Sequence, residues 1–181
     1  MIYVFFAHGF EEIEAVTVLD ILRRAELDVT SVGIGSKTVT GSHGITIHCD
    51  MSDRQVDIRK LDMIVLPGGV PGTLNLEKSA VVSAVVDHAA TNDIWIAAIC
   101  AAPSILGHKG ILDGKKATCA PGWEDQLGEA DYTAADVEQD GKFITANGAG
   151  SSVKFALKLV EVLISKERAD DIGSAMRYNT K

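Results

Sequence analysis

The stretch IWIAAICAAPSIL, residues 94–106, reads as a buried strand running straight into small residues that can open a helix, with Cys100 between them. Ile94 to Ile99 carries no polar alternation, as expected of a parallel strand covered on both faces. A residue at such a turn occupies the place of a nucleophile elbow, where a tight bend pushes one side chain into a cleft. Ala98, Ala101 and Ala102 leave room for a strained turn, although the glycines of the G-x-S-x-G form are absent. From spacing alone, a reactive Cys100 stands against a packed structural cysteine. If it is reactive, the helix N-terminus that follows is expected to lower its thiol pKa from ~8.5 to roughly 3.5–7.5.

The same texture extends in both directions. The pattern predicts further strands over Ile2–Ala7, Val29–Ile34, Met63–Leu66 and Phe143–Ala146. Helical patterns lie between them, over Glu12–Ala25, Ser79–Ala90 and Val153–Ile164. In the last, Phe155, Ala156, Leu159, Val160, Leu163 and Ile164 form one apolar stripe, with Ser151 and Ser152 as candidate caps. Alternation of this kind argues for an α/β fold with a doubly wound, mostly parallel sheet. Val39–Cys49 breaks the rhythm: Gly41-Ser42-His43-Gly44 between β-prone residues predicts a projecting hairpin. No repeat or linker interrupts the 181 residues, so one domain over 1–181 is expected.

A net charge of −8 without any Lys/Arg cluster argues against nucleic acid as a partner. The apolar runs are far shorter than the ~20 residues of a membrane helix, and no basic segment precedes Met1–Ala7. A cytoplasmic protein with no membrane partner is the expectation. Cys49, Cys100 and Cys119 are an odd number with no C-x-x-C pair, against both a disulfide framework and a structural zinc site.

In an open α/β sheet, ligands bind beyond the carboxyl ends of the strands. Three loops should converge there: His8-Gly9-Phe10 leading into Glu11-Glu12-Ile13-Glu14, Pro67-Gly68-Gly69-Val70-Pro71-Gly72, and Cys100 with its neighbours. Gly68-Gly69 reads as a tight turn or as a set of backbone N–H groups that form an oxyanion hole with Ala101. Three acids among four residues exceed what a helix dipole needs, and Glu14 shares a helix face with Val18. A carboxyl buried beside a thiolate should hold its proton.

E-E-x-E after the first strand, L-P-G-G after the third, A-A-I-C-A-x-P at the elbow and N-G-A-G-S-S-x-x-F-A-L-x-L-V near the C-terminus together resemble the ThiJ/PfpI superfamily, in its deglycase branch. The resemblance implies a flavodoxin-like sandwich and a homodimer with its cleft near the dimer interface. It implies Cys100 as nucleophile, Glu14 as the protonated group on its sulfur, and Gly69 and Ala101 as oxyanion donors. Two positions depart from the branch's human member. Ala120 stands where that protein has a histidine near the cysteine. His43 stands where it has an arginine reaching across the dimer; solvation of His43 is the simpler expectation, with service in the partner's cleft as the alternative. His8, Gly68 and Cys119 are further candidates for the cleft lining, and Cys119 is expected near enough to be oxidised alongside Cys100.

The implied activity is that of a cofactor-independent glyoxalase or deglycase acting on methylglyoxal, glyoxal or their early protein adducts, with no metal. The alternative is a redox sensor or chaperone working through cysteine sulfinate. Peptidase and glutamine amidotransferase chemistry both need a histidine base. Ala101 follows the cysteine directly and the last histidine is His108, which disfavours them.

Overall fold

The computed structural model describes residues 1–178. In chain order the elements are β1 (Ile2–Phe6), α1 (Glu12–Arg24), β2 (Val29–Gly33), β3 (Thr38–Thr40), β4 (Thr46–His48), β5 (Met51–Ser52) and β6 (Met63–Leu66). There follow α2 (Gly72–Glu77), α3 (Ala80–Thr91), β7 (Trp95–Ile99), α4 (Pro103–His108), β8 (Lys116–Ala117), β9 (Asp131–Tyr132), β10 (Val137–Asp140), β11 (Phe143–Ala146), α5 (Ser152–Leu163) and α6 (Lys166–Ala175).

Seven strands form the central sheet in the order β10-β11-β7-β6-β1-β2-β5. All neighbours are parallel except β10 and β11. The period of two along each strand sends alternate side chains to opposite faces. Ile2, Val4 and Phe6 of β1 join the core beneath α1, α5 and α6. Tyr3, Phe5 and Ala7 join the core beneath α2, α3 and α4. Burying a side chain of this size contributes about 1.5–3 kcal/mol, so both faces of the short central strands hold the layers together. The result is the flavodoxin-like α/β sandwich read from the sequence, and β3 and β4 pair apart from the main sheet as the projecting hairpin.

From β1 the chain runs outward through β2 to β5, then crosses back to build β6, β7 and β11 on the other side. The switch point therefore lies at the carboxyl ends of β1 and β6, with β7 next in line. The loop after β1 is pinned there by Phe10, whose ring meets Phe6 edge-on with centroids 5.1 Å apart. The serine caps behave differently from expectation. Ser151 precedes α5 without a capping bond, and the Ser152 hydroxyl donates to the Ala149 carbonyl instead. Among the described residues no helix is long and apolar enough to cross a membrane.

Candidate active site

β7 delivers Cys100 to the switch point and holds it in a left-handed backbone conformation, φ +65°. For a residue with a Cβ this conformation costs about 1–2 kcal/mol and persists only where the surroundings enforce it. They do so from both sides: the Cys100 N–H donates to the Ala146 carbonyl on β11, and the Ala120 N–H donates to the Cys100 carbonyl, both at 2.8 Å. Ala98, Ala101 and Ala102 are fully buried around the bend, which explains why only small residues flank it. Pro103 then opens α4 at its first position, where a missing N–H is harmless.

Glu14 lies in the first turn of α1, with no solvent exposure. Its Oε2 accepts the Gly68 N–H at 2.8 Å, and its carboxyl lies close enough to the Cys100 side chain for the two to shift each other's proton affinity. Its Oε1 has no partner among the described residues. The Gly69 and Ala101 N–H groups lie near the same sulfur and favour its charged form. The structure thus brings Cys100, Glu14, Gly68, Gly69 and Ala101 into one cluster drawn from three segments: α1, the loop after β6 and the elbow after β7.

Gly68 is fixed by close approach. A Cβ there would lie 2.6 Å from Cys100 Cβ and 2.6 Å from Glu14 Oε2. Gly69 adopts φ +90°, and its Cβ would fall 2.4 Å from the Glu11 nitrogen. With both side chains absent, the loop after β6 locks onto the loop after β1. Glu11 N–H donates to Gly68 O and Gly72 N–H to Gly9 O, each at 3.0 Å.

The electrostatics overturn one expectation. Burial raises Glu14 to about 7, against the opposing hydrogen bonds of Cys100 and Gly68. Burial, followed by the Glu14 charge and the hydrogen bond to it, pushes the Cys100 thiol up to about 12, with the Gly69 and Ala101 N–H groups pulling the other way. A helix N-terminus does not lower this thiol. α4 begins only at Pro103, and a buried carboxyl against the sulfur outweighs a short helix dipole. Glu14 is thus the first of the two to give up its proton, near 7, and its charge then makes the thiol harder to ionise.

Three other candidates lie elsewhere. Cys119 is fully buried among the residues of the α2–α4 face, with its thiol raised to about 12 by burial, so it is a packed cysteine and no partner in oxidation. His8 lines a different cavity, beside Ile34 and Lys78. His43 is exposed but not merely solvated: its Nδ1 lies 2.9 Å from Glu12 Oε2 and 3.5 Å from Glu11 Oε1 of the same chain. Those three residues are the one grouping among the described residues whose ligand atoms, all within 4.8 Å, could share a cation. Sequence reasoning missed this network, though the surplus of acids at the start of α1 was its signal.

The sequence model of the DJ-1/PfpI family matches residues 1–162. The chain belongs to the DJ-1/PfpI family. Drosophila melanogaster protein dj-1beta is 37% identical over 97% of this chain and 97% of its own length. The crystal structure of that DJ-1beta superposes with a TM-score of 0.94, covering 98% of this chain and 97% of the other. Oxidized Toxoplasma gondii DJ-1 superposes equally well, TM-score 0.94 at 36% identity, with 98% and 97% of the two chains covered. A Caenorhabditis elegans protein named glutathione-independent glyoxalase DJR-1.2 is 32% identical over 90% of this chain and 87% of its own. Two Arabidopsis thaliana relatives, DJ-1 homologs B and A, match at 37% and 36% identity over 94% of this chain, which spans only 40% and 44% of their lengths.

Proposed function

We propose that this protein is a cofactor-independent glyoxalase or deglycase that converts methylglyoxal, glyoxal or their early protein adducts, with Cys100 as nucleophile and Glu14 as its acid–base partner. The carrying observation is the pair itself: a buried carboxyl, titrating near 7, held against the sulfur at a strained elbow. The glyoxalase name of the C. elegans relative supports the same substrate class.

Each step follows from the groups present. Ionised Glu14 takes the thiol proton as sulfur adds to the aldehyde carbon, and the Gly69 and Ala101 N–H groups face the oxygen that becomes negative. The proton passes to that oxygen, giving a hemithioacetal. Glu14, ionised again, removes the hydrogen from the sulfur-bearing carbon and returns it to the adjacent carbonyl carbon. The hydroxyl proton on the sulfur-bearing carbon crosses to the neighbouring oxygen, so that the first carbon becomes the carbonyl and the second carries the hydroxyl. The product of that shift is a thioester of lactate, and water releases lactate and the free thiol. One carbon is oxidised and its neighbour reduced, so only water is consumed. Proton transfer of this kind is worth ~10²–10⁴ in rate. Ala101 and Ala120 offer no imidazole base, which favours aldehyde addition over amide hydrolysis.

The decisive assay follows methylglyoxal consumption and lactate formation by wild type, Cys100→Ser and Glu14→Gln. Turnover should vanish in the first variant and fall ~10²–10⁴-fold in the second; unchanged turnover in Cys100→Ser overturns the assignment. The oxidized form of the Toxoplasma relative supports a second reading, in which the same donors hold the oxygens of a Cys100 sulfinate as an oxidative-stress sensor or chaperone. No wild-type turnover together with selective Cys100 sulfinate after mild peroxide would favour that reading. Both readings place the protein in the cytoplasm as a homodimer. Exposed Ile13 and Val16, one turn apart on α1, and Ile45 of the hairpin form the apolar surface that supports a dimer. Ile13→Asp should shift sedimentation toward the monomer.

A further inference from the structure

Three segments that leave the site meet again at His108, the last residue of α4. α2 follows the Gly68-Gly69 loop, α4 follows the elbow, and the turn Glu124–Gln126 follows Ala120. His108 Nδ1 lies 2.5 Å from Glu77 Oε1 at the end of α2, and its Nε2 lies 2.8 Å from Gln126 Oε1 on the turn. Backbone bonds connect that turn to the elbow. The Gln126 N–H donates to the Trp123 carbonyl, the Trp123 N–H to the Ala120 carbonyl, and the Ala120 N–H to the Cys100 carbonyl, at 3.0, 3.1 and 2.8 Å. Gly107 packs against the same turn so closely that a Cβ there would fall 2.2 Å from the Gln126 carbonyl oxygen.

A neutral imidazole carries one N–H, so it can donate to only one of these two side-chain oxygens. Both are served at once by the imidazolium alone. Glu77 is the charged group in contact with the ring. The other charged groups on the elements packed around it are directed elsewhere. Glu124 accepts the Gly122 N–H, and Lys109 reaches Ser83 and Asp87 on α3. Lys78, next to Glu77, and Asp125, on the turn, are exposed. The proton affinity of His108 is raised, first by its hydrogen bond with Glu77 and then by that with Gln126, which is the direction the geometry requires.

We propose that His108 is a proton-operated clasp on the loop that backs the elbow: the imidazolium ties α4 to both Glu77 and Gln126, and the neutral ring releases Gln126. The segment from Ala120 to Gln126 then opens more often, and with it the bond that holds the Cys100 carbonyl. The clasp is complete below the ordinary histidine value of 6.5 and is lost as pH rises through the higher folded value. It acts on the position of the elbow and does not depend on the reaction proposed for Cys100. The test uses the full chain, isotopically labelled, at pH 6 and pH 9. NMR follows the His108 ring and the opening of the Ala120, Trp123 and Gln126 amides, corrected for intrinsic exchange. Opening at all three should rise roughly three- to fivefold from pH 6 to pH 9, with their shifts titrating at the His108 midpoint. His108→Gln and Gln126→Ala, both checked for folding by circular dichroism, should each abolish that pH dependence. Glu77→Gln should move the His108 midpoint back toward its ordinary value. Amide shifts that do not follow the ring, or a pH dependence that survives in His108→Gln, overturn the proposal. So does equal opening at pH 6 and pH 9, which would mean that the Gln126 amide turns over and donates to the neutral ring. No readout here measures turnover, so failure of the clasp and failure of the glyoxalase reading are told apart.

Discussion

Two carboxyl groups on the first turn of α1, two residues apart, are both shut away from water, and their proton affinities are driven in opposite directions. Glu12 faces the hairpin. It accepts the His43 N–H at 2.8 Å, the Ile45 N–H at 3.4 Å and the Ser42 hydroxyl at 3.2 Å, with His43 Nδ1 at 2.9 Å. Burial raises its pKa, but those donors, led by the His43 ring, outweigh burial and hold it at about 2. Glu14 faces the elbow, where one backbone N–H and a sulfur are its partners, and burial wins at about 7. Burial alone therefore does not decide whether a carboxyl keeps its proton; the number of donors aimed at it does. One helix turn thereby supplies a fixed anion that anchors the hairpin and a movable proton beside the thiol.

The sharpest way to break the contrast is to crowd the Glu14 side. Gly68→Ala places a methyl 2.6 Å from both Cys100 Cβ and Glu14 Oε2. Neither neighbour can retreat, because one is backbone-linked and the other is buried. The substitution should reduce methylglyoxal turnover by ~10²-fold or more and destabilise the fold by about 3 kcal/mol, read from turnover and urea unfolding. Wild-type turnover in Gly68→Ala would show that the close approach is not needed to seat the pair.

Next in size is the pH dependence of stability. Glu14 has a folded pKa of about 7, above its ordinary 4.5, so the native state keeps a proton that the unfolded chain gives up. Stability should fall as pH rises from 4.5 to 7 and level off above that, by up to about 3 kcal/mol. Glu14→Gln removes the titration. The difference between variant and wild type should therefore widen over that interval in favour of the variant. Parallel unfolding curves at pH 4.5 and 8 would show that Glu14 holds no proton in the fold.

Much of the elbow region was legible from sequence because it is written in local terms. An apolar run stops at Cys100 among small residues, and the helical phase of Glu14 matches Val18. The hairpin region was half legible. Its turn residues stand out, but the bonds from Glu12 to His43 span 31 positions and depend on where the fold places the loop. Gly68 read as a turn glycine, since a close approach to Cys100 and Glu14 exists only once three loops have met. The edge of the sheet escaped for a different reason. β10 reads VEQD, without an apolar run, and β5, β8 and β9 have two residues each. α6 is largely polar apart from Ala169, Ile172 and Gly173 on its buried side. The thiol's direction was misread because the helix after it is visible in sequence, whereas the carboxyl against its sulfur acts through space.

A smaller effect sharpens the Glu12 side. Glu12→Gln keeps the shape of the side chain but removes the charge, so its donors lose part of their hold. A loss of about 1–2 kcal/mol is expected at pH 7. Because the folded pKa lies below the ordinary value, the carboxylate's contribution is present above 4.5 and disappears as pH falls toward about 2. Urea unfolding of the two proteins should therefore differ at pH 7 and converge near pH 2. A difference that persists in acid would point to shape, not charge, as what anchors the hairpin.

The smallest effect belongs to His43, the other end of the same bond. Its pKa is raised, chiefly by the hydrogen bond with Glu12 and then by the charges of Glu11 and Glu12. A raised histidine contributes stability that is complete below its ordinary value of 6.5 and is lost as pH climbs through the folded value. His43→Asn should thus weaken the hairpin slightly at pH 6 and leave it unchanged at pH 9. The ring is exposed, so the effect is expected in local opening before global unfolding. Amide exchange at Ile45 and Gly41, whose N–H groups are held by Glu12 and by the Ile45 carbonyl, is the sensitive readout. Faster exchange in the variant at pH 6 and equal exchange at pH 9 would confirm that the ion pair ties the hairpin to α1. Equal exchange at both would leave the anchoring to Glu12 and the backbone N–H groups alone.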